Sequence, residues 1–190
     1  MNILFLDIDG VLNTHNTYKK HKDLKITPLN LGFHLEKDKL EILNQIIEKF
    51  DFKIVISSSW RFEGIDLLKK KFKYVSGIEF PLIDITKRKG DYFRRDEQIL
   101  EWVINNKEKI DKFIAIDDEI GDMFKIREYL IKTCGYTDGL TEQHIKEIEE
   151  KMQNMLLDFE QLEKILNFRV LDEDDIFEKY ANTFRDLAKI

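Results

Sequence analysis

Ile3-Leu4-Phe5-Leu6-Asp7-Ile8-Asp9-Gly10-Val11-Leu12 is the stretch that decides the fold. An apolar run ending in two carboxylates and a glycine reads as a buried strand that delivers two acids to a turn. Strand side chains alternate, so Asp7 and Asp9 leave on the same side unless the turn rotates one of them. Like charges that close repel each other, and a divalent cation is the usual remedy. Gly10 lets the backbone turn where a side chain would clash. The fragment points to a Mg²⁺ site with a nucleophilic carboxylate.

The pattern occurs twice more. Lys53-Ile54-Val55-Ile56 runs into Ser57-Ser58-Ser59-Trp60-Arg61, and Phe113-Ile114-Ala115-Ile116 runs into Asp117-Asp118-Glu119. Helical patterns separate these three short strands. That order predicts an α/β, Rossmann-like parallel sheet with its site at the carboxyl ends of the strands. D-x-D-G also opens calcium loops, but those need further oxygen ligands at once and a closing Glu at fixed spacing. Val11-Leu12-Asn13 does not supply them.

These residues resemble the haloacid dehalogenase (HAD) superfamily of phosphotransferases. Asp7 to Leu12 matches its first motif, Ser57 to Ser59 its second, and Asp117-Asp118 its fourth. Arg95 is the candidate for the third, a lone basic residue, with Lys87, Arg88 and Lys89 as rivals. S-S-W-R, R-x-x-x-I-x-x-W and Gly139-Leu140-Thr141 are similar to a subgroup associated with RNA-repair proteins, from which Gln98 departs by standing where that subgroup carries Glu. The resemblance covers residues 1 to about 145.

It implies that Asp7 is the nucleophile, forming an aspartyl-phosphate, and that Asp9 protonates the leaving oxygen and then activates water. Mg²⁺ would be held by Asp7, the Asp9 backbone carbonyl and Asp118, with Asp117 and Asp122 as alternatives to Asp118. Ser58 would bind a phosphate oxygen, with Ser57 and Ser59 as competitors, helped by backbone N–H groups of the turn. Arg95 would balance phosphoryl charge. Gly10 and Lys89 complete the expected substrate contacts. Trp60 could stack on a base or simply pack in the core.

Composition sets bounds. At 190 residues and 43% hydrophobic, the chain is long and apolar enough for one full core, not a disordered segment. With 8 Gly and 2 Pro, most of it should be regular structure. Cys134 is the only cysteine, so no internal disulfide forms and a reducing, cytoplasmic setting is expected. The apolar runs are too short to span a bilayer. No signal peptide is expected, and nothing calls for an obligate protein partner. His15, His21, His34 and His144 lack metal-ligand spacing and read as surface or packing residues. The net charge of −6 is uneven: residues 1–113 carry 21 basic and 18 acidic side chains, and residues 114–190 carry 10 and 19. A basic half holding most of the site suits an anionic substrate, and solvated helix faces explain it equally well.

Hydrophobic spacing predicts helices over 36–50, 62–72, 96–107 and 119–130, a short strand over 74–78 and another over 131–134. Thr141 reads as a helix N-cap. Met152, Met155, Leu156, Phe159, Leu162, Ile165 and Leu166 make one helical stripe, and Asp175 to Glu178 reads as a capping box. Residues 146–190 are therefore expected to form a helical extension packed on a core of residues 1–145. Asn13–His34 is too short for a folded lid, so the fold should be capless or minimally capped. An open site admits a large substrate. With Lys19, Lys20, Lys22, Lys25 and the basic residues of 87–95 nearby, an RNA or DNA phosphate end is the first expectation. A small phosphorylated metabolite or nucleotide is the alternative, and a catalytically silent binding module the reading of another class.

Overall fold

The computed structural model describes residues 1–23, 34–87 and 94–168, with the backbone alone for 21–23. Lys25, Arg88, Lys89 and the expected capping box at Asp175 lie outside those residues, as does the side chain of Lys22. Among the described residues five parallel strands form one sheet: β1 (Asn2–Leu6), β2 (Phe52–Ile56), β3 (Leu82–Ile85), β4 (Lys112–Asp117) and β5 (Leu130–Lys132). Their order is β3-β2-β1-β4-β5. Among the described residues six helices flank them: α1 (His15–Asp23), α2 (Lys37–Phe50), α3 (Ile65–Ser76), α4 (Arg95–Asn105), α5 (Gln143–Asn154) and α6 (Phe159–Asn167). This is the Rossmann-like fold that the strand-end motifs predict.

A parallel sheet is covered on both faces, so its central strands are apolar throughout. Ile3, Leu4, Phe5 and Leu6 are fully buried, as are Phe113 to Ile116 on the neighbouring strand. Phe5 meets Trp102 of α4 and Phe113 edge-on, with ring centroids 5.5 and 5.9 Å apart. α2 buries Leu40, Leu43, Ile46 and Ile47 and ends where Asp51 turns left-handed. After β3 the chain crosses to the other side of β1. The switch point therefore lies between β1 and β4, where open α/β sheets hold their ligands. Asp7 and Asp117 stand at it.

Several elements differ from the sequence pattern, each for a local reason. No strand forms at 74–78: α3 runs through Tyr74 to Ser76 and stops at Gly77 in a left-handed conformation. The strand comes later, as β3, after Pro81. Before α3, residues Ser59–Glu63 make a separate 3₁₀ turn, split from it by Gly64. The helix expected over 119–130 is a 3₁₀ segment, Gly121–Tyr129, kinked at Met123 and Ile126. The last strand starts one residue earlier than its apolar pattern suggests, at Leu130.

Thr141 caps nothing; Glu142 precedes α5, and the Thr141 backbone N–H donates to His144 Nδ1 at 2.9 Å. The long apolar stripe is two helices. Asp158 starts the second by accepting from the Gln161 N–H at 3.0 Å, and between them Leu156 is 91% exposed.

α6 packs on α4. Leu162 lies in the main core, Lys107 pairs with Glu163 at 3.1 Å, and Lys125 Nζ donates to the Leu166 carbonyl at 3.1 Å. Among the described residues, no helix is long and apolar enough to cross a membrane.

Leu162 and Leu156 test how far α6 belongs to the core. Leu162→Ala should cost about 2–4 kcal/mol in urea unfolding. Leu156→Ala, at an exposed position, should cost less than about 0.5 kcal/mol.

Candidate active site

Cross-strand register builds the centre of the site. Leu6 pairs with Ile56 on one side and Ile116 on the other. The register runs one residue further, since Ser57 N–H donates to the Leu6 carbonyl and Asp7 N–H to the Ile116 carbonyl, both at 3.0 Å. Ser57, Asp7 and Asp117 thus stand in one row at the carboxyl edge of the sheet. Asp117 also accepts from the Glu119 N–H at 2.9 Å, which closes the turn after β4.

Arg95, the first residue of α4, reaches back to this row. Its Nη1 donates to Asp7 Oδ2 at 2.8 Å and also to Asp117 Oδ2. Burial disfavours the guanidinium charge, but the two carboxylates outweigh it and raise the pKa of Arg95 above its already high ordinary value. The helix start that carries it is held by the residue beside it. Asp96, fully buried, accepts from Arg94 Nη2 at 3.1 Å and from the Lys125 N–H at 2.8 Å. Arg94 Nη2 in turn donates to the Gly121 carbonyl at 2.8 Å. The start of α4 is so fastened to the 3₁₀ segment after β4. Sequence reasoning missed Asp96, because an acid in a helix's first turn is explained by the helix dipole alone.

Asp118 sits in a notch between two glycines. Gly10 has φ of 77°, and a side chain there would run into Asp118, with Oδ1 at 2.7 Å from the added carbon. A side chain on Gly135 would strike the same carboxylate and come within 2.9 Å of Gly10 Cα. Thr133 Oγ1 holds the turn by donating to the Gly10 carbonyl at 2.8 Å. Carboxylate oxygens of Asp7, Asp117 and Asp118 lie within 4.8 Å of one another. Three acids face one guanidinium, two of the acids buried, so the oxygen-only donor set and the residual negative charge fit a hard divalent cation. Asp122, the other alternative, is not in that group.

Protons compete for the same oxygens. Burial, then the charge of Asp7, pushes Asp117 up to about 7 and raises Asp118 by the same two causes. Arg95 works against both shifts without cancelling them.

Asp9 leaves the strand end differently. Its carboxylate accepts from Asn13 Nδ2 at 2.9 Å, Tyr18 OH at 2.6 Å and Trp60 Nε1 at 2.9 Å. Asn13 also accepts from the Gly10 N–H at 3.0 Å, so Gly10 offers that donor to its own turn. The indole of Trp60 has the Lys71 ammonium 4.7 Å over its ring. Asn13 and Tyr18 were not among the expected site residues; the turn preference of Asn right after D-x-D-G was the available signal.

The three serines diverge. Ser58 Oγ accepts from the Trp60 N–H at 3.3 Å and so caps the 3₁₀ turn. Ser59 lines the mouth of the cavity. Ser57 Oγ is buried and has no partner among the described residues. Arg61 braces the turn through the Ser57 carbonyl and Thr86 Oγ1, each at 3.0 Å. The cavity, which of the three serines only Ser59 lines, is open, about 450 Å³, and lies over Asp7, Asp9, Arg95 and Asp118, with Tyr18 and Tyr136 also lining it.

Fold, strand-end motifs and acid cluster are those of the HAD superfamily. The chain belongs to the family of the HAD domain in Swiss Army Knife RNA repair proteins, whose model matches residues 3–145. No curated protein and no solved structure matches it. The family supports a phosphatase-type function, and the acid cluster can hold a cation.

Cation binding has two measurable consequences. Because Asp117 and Asp118 have raised values in the folded state, the folded protein binds more protons than the unfolded chain. The stability from these groups therefore falls as pH rises from about 4 to 7. A divalent cation should restore it, with a larger rise in melting temperature at pH 8 than at pH 5; equal rises would refute the site. Gly135→Ala should keep the circular dichroism spectrum and weaken cation binding at least about tenfold by displacing Asp118, as measured by calorimetry.

Proposed function

We propose that the protein is a Mg²⁺-dependent phosphomonoester hydrolase working through an aspartyl-phosphate on Asp7, with nucleic-acid phosphate ends as its substrates. The observation that carries this reading is Arg95, held between Asp7 and Asp117 beside Asp118. A guanidinium there pairs with the proposed nucleophile and leaves donors for phosphoryl oxygens.

Mg²⁺ bound by Asp7, Asp118 or Asp117 and the Asp9 carbonyl would offset the repulsion between an anionic nucleophile and a phosphate. An Asp7 oxygen attacks phosphorus and the ester P–O bond breaks. The leaving oxygen takes a proton from Asp9. Water then gives a proton to Asp9 and attacks phosphorus, and the P–O bond to Asp7 breaks to release phosphate.

Of the second-motif serines, Ser57 is the best supported phosphate contact. Its hydroxyl is buried and unpartnered among the described residues, and buried polar groups of that kind call for a ligand or water. Ser58 Oγ accepts from the Trp60 N–H and keeps its own O–H to donate, so it stays a competitor for the same role. Arg95 suits the third-motif role better than Lys87, since it touches both acids.

The substrate class rests on the family's tie to RNA repair proteins and on an open cavity. Between β2 and β3 the described chain holds only the 3₁₀ turn and α3, so nothing there makes a folded lid. Lys19 and Lys20 lie on α1, which directly follows the first motif.

Asp7→Asn should lower kcat by about 10³-fold or more, and acid-quenched labelled substrate should leave phosphate on the wild-type protein alone. Full turnover by folded Asp7→Asn would sink the mechanism. The substrate class has its own check. For a phosphorylated oligonucleotide, kcat/KM should fall steeply with salt, because each phosphate contact releases counterions. For a mononucleotide the fall should be shallow. Replacing Lys19, Lys20, Lys22 and Lys25 with Ala should hurt only the oligonucleotide. Equal efficiencies unaltered by those changes would favour a small phosphorylated metabolite.

A further inference from the structure

We propose that Trp60 is a positioning residue for Asp9: its indole N–H holds Asp9 Oδ2, the oxygen that exchanges protons with substrate and water. This rests on the phosphatase reading above.

Three segments converge on one carboxylate. Oδ1 accepts from Asn13 Nδ2 at 2.9 Å and from Tyr18 OH at 2.6 Å. Oδ2 accepts from Trp60 Nε1 at 2.9 Å, its one donor among the described residues. A carboxylate offers roughly four acceptor positions, two on each oxygen. Oδ1 is therefore filled, while Oδ2 keeps one position open. A proton carried by Asp9, or taken by it from water, belongs on Oδ2.

The donors themselves are fixed. Asn13 is fully buried and is turned by the Gly10 N–H on its Oδ1. Burial, then the bond to Asp9, raises the Tyr18 phenol above the ordinary tyrosine range, so it stays a donor. Trp60 is clamped on two sides. Its backbone N–H donates to Ser58 Oγ at 3.3 Å, and the Lys71 ammonium lies over its ring at 4.7 Å. Lys71 is itself held by Glu63 at 2.5 Å. The second motif thus contributes a donor that reaches across to the first motif's second acid.

Redundancy separates the three donors. Losing Tyr18 OH leaves Asn13 on Oδ1. Losing the indole N–H leaves Oδ2 with no donor among the described residues, and the carboxylate can rotate away from the reacting ester. Misplacement of that kind harms the chemistry that needs the proton and spares the chemistry that does not.

The test compares two esters. 4-Nitrophenolate leaves without a proton; the alkoxide of glycerol phosphate requires one. Trp60→Phe keeps an aromatic ring at that position, though a smaller one, and removes the N–H. Its kcat/KM should fall at least about tenfold for glycerol phosphate and less than about threefold for 4-nitrophenyl phosphate. With the aryl ester, acid quench should trap more phosphate on Asp7 than in wild type, because the same carboxylate activates water.

Tyr18→Phe, at a half-exposed position on α1, should move the ratio of the two esters in the same direction by about twofold to threefold. It decides the question should Trp60→Phe fail to fold. Equal losses on both esters, or an unchanged ratio in the folded variants, would overturn the proposal. Wild-type protein that turns over neither ester nor a phosphorylated oligonucleotide, and traps no phosphate, removes the phosphatase reading, and the positioning role with it.

Discussion

The site depends on a charge problem that the sheet creates. Parallel strands β1 and β4 end side by side and deliver Asp7 and Asp117 to one edge, with Asp118 in the turn beyond. Coulomb repulsion among carboxylates this close, partly out of water, costs several kcal/mol unless a cation intervenes. Arg95 supplies one positive charge and bridges two of the acids. That leaves a deficit, which adds to burial in raising Asp117 and Asp118. The centre is thus built to attract positive charge, and this supports a metal-assisted reading more directly than any single ligand does.

Much else in the chain serves the position of that guanidinium. Arg95 starts α4, and α4 is fixed at its first turn by Asp96 and along its length by Trp102 against Phe5. Trp102 Nε1 also donates to Asp84 Oδ2 of β3 at 2.7 Å. From the other side α6 covers α4 through Leu162 and the Lys107–Glu163 pair. The α6 helix lies outside the matched family region, yet it packs directly on the helix that carries Arg95.

The sheet and the acid cluster were legible in the sequence because both are written locally. A buried parallel strand is a run of apolar residues, and the residue just past its end stands at the sheet's carboxyl edge. Asp7, Asp117 and Ser57 could be found that way. The register that aligns them could not, since it depends on three strands far apart in sequence. Nor could Gly135, whose value lies in leaving room for Asp118 across the fold. The 3₁₀ geometry of Gly121–Tyr129 was hidden as well, because its apolar spacing serves a kinked segment as well as a helix. The stripe from Met152 to Leu166 misled for the opposite reason: it continues in phase across a break that Asp158, as a cap, had already marked.

The two acids of D-x-D-G share a motif but not an environment. Asp7 faces a guanidinium. Asp9 faces an amide, a phenol and an indole, all neutral donors. A nucleophile must remain charged through the reaction, and a lasting positive partner suits it. A group that gives a proton in one half-reaction and takes one in the next needs donors that hold it in place. Environments that differ across two neighbouring carboxylates are how one site divides acid–base work from nucleophilic work. Under the proposed mechanism that division would follow the segments that reach each acid: α4 for the first, and the turn after Gly10, α1 and the 3₁₀ turn after β2 for the second. The spacing of the motif sets the two acids at one strand end, and the rest of the fold gives each its partner.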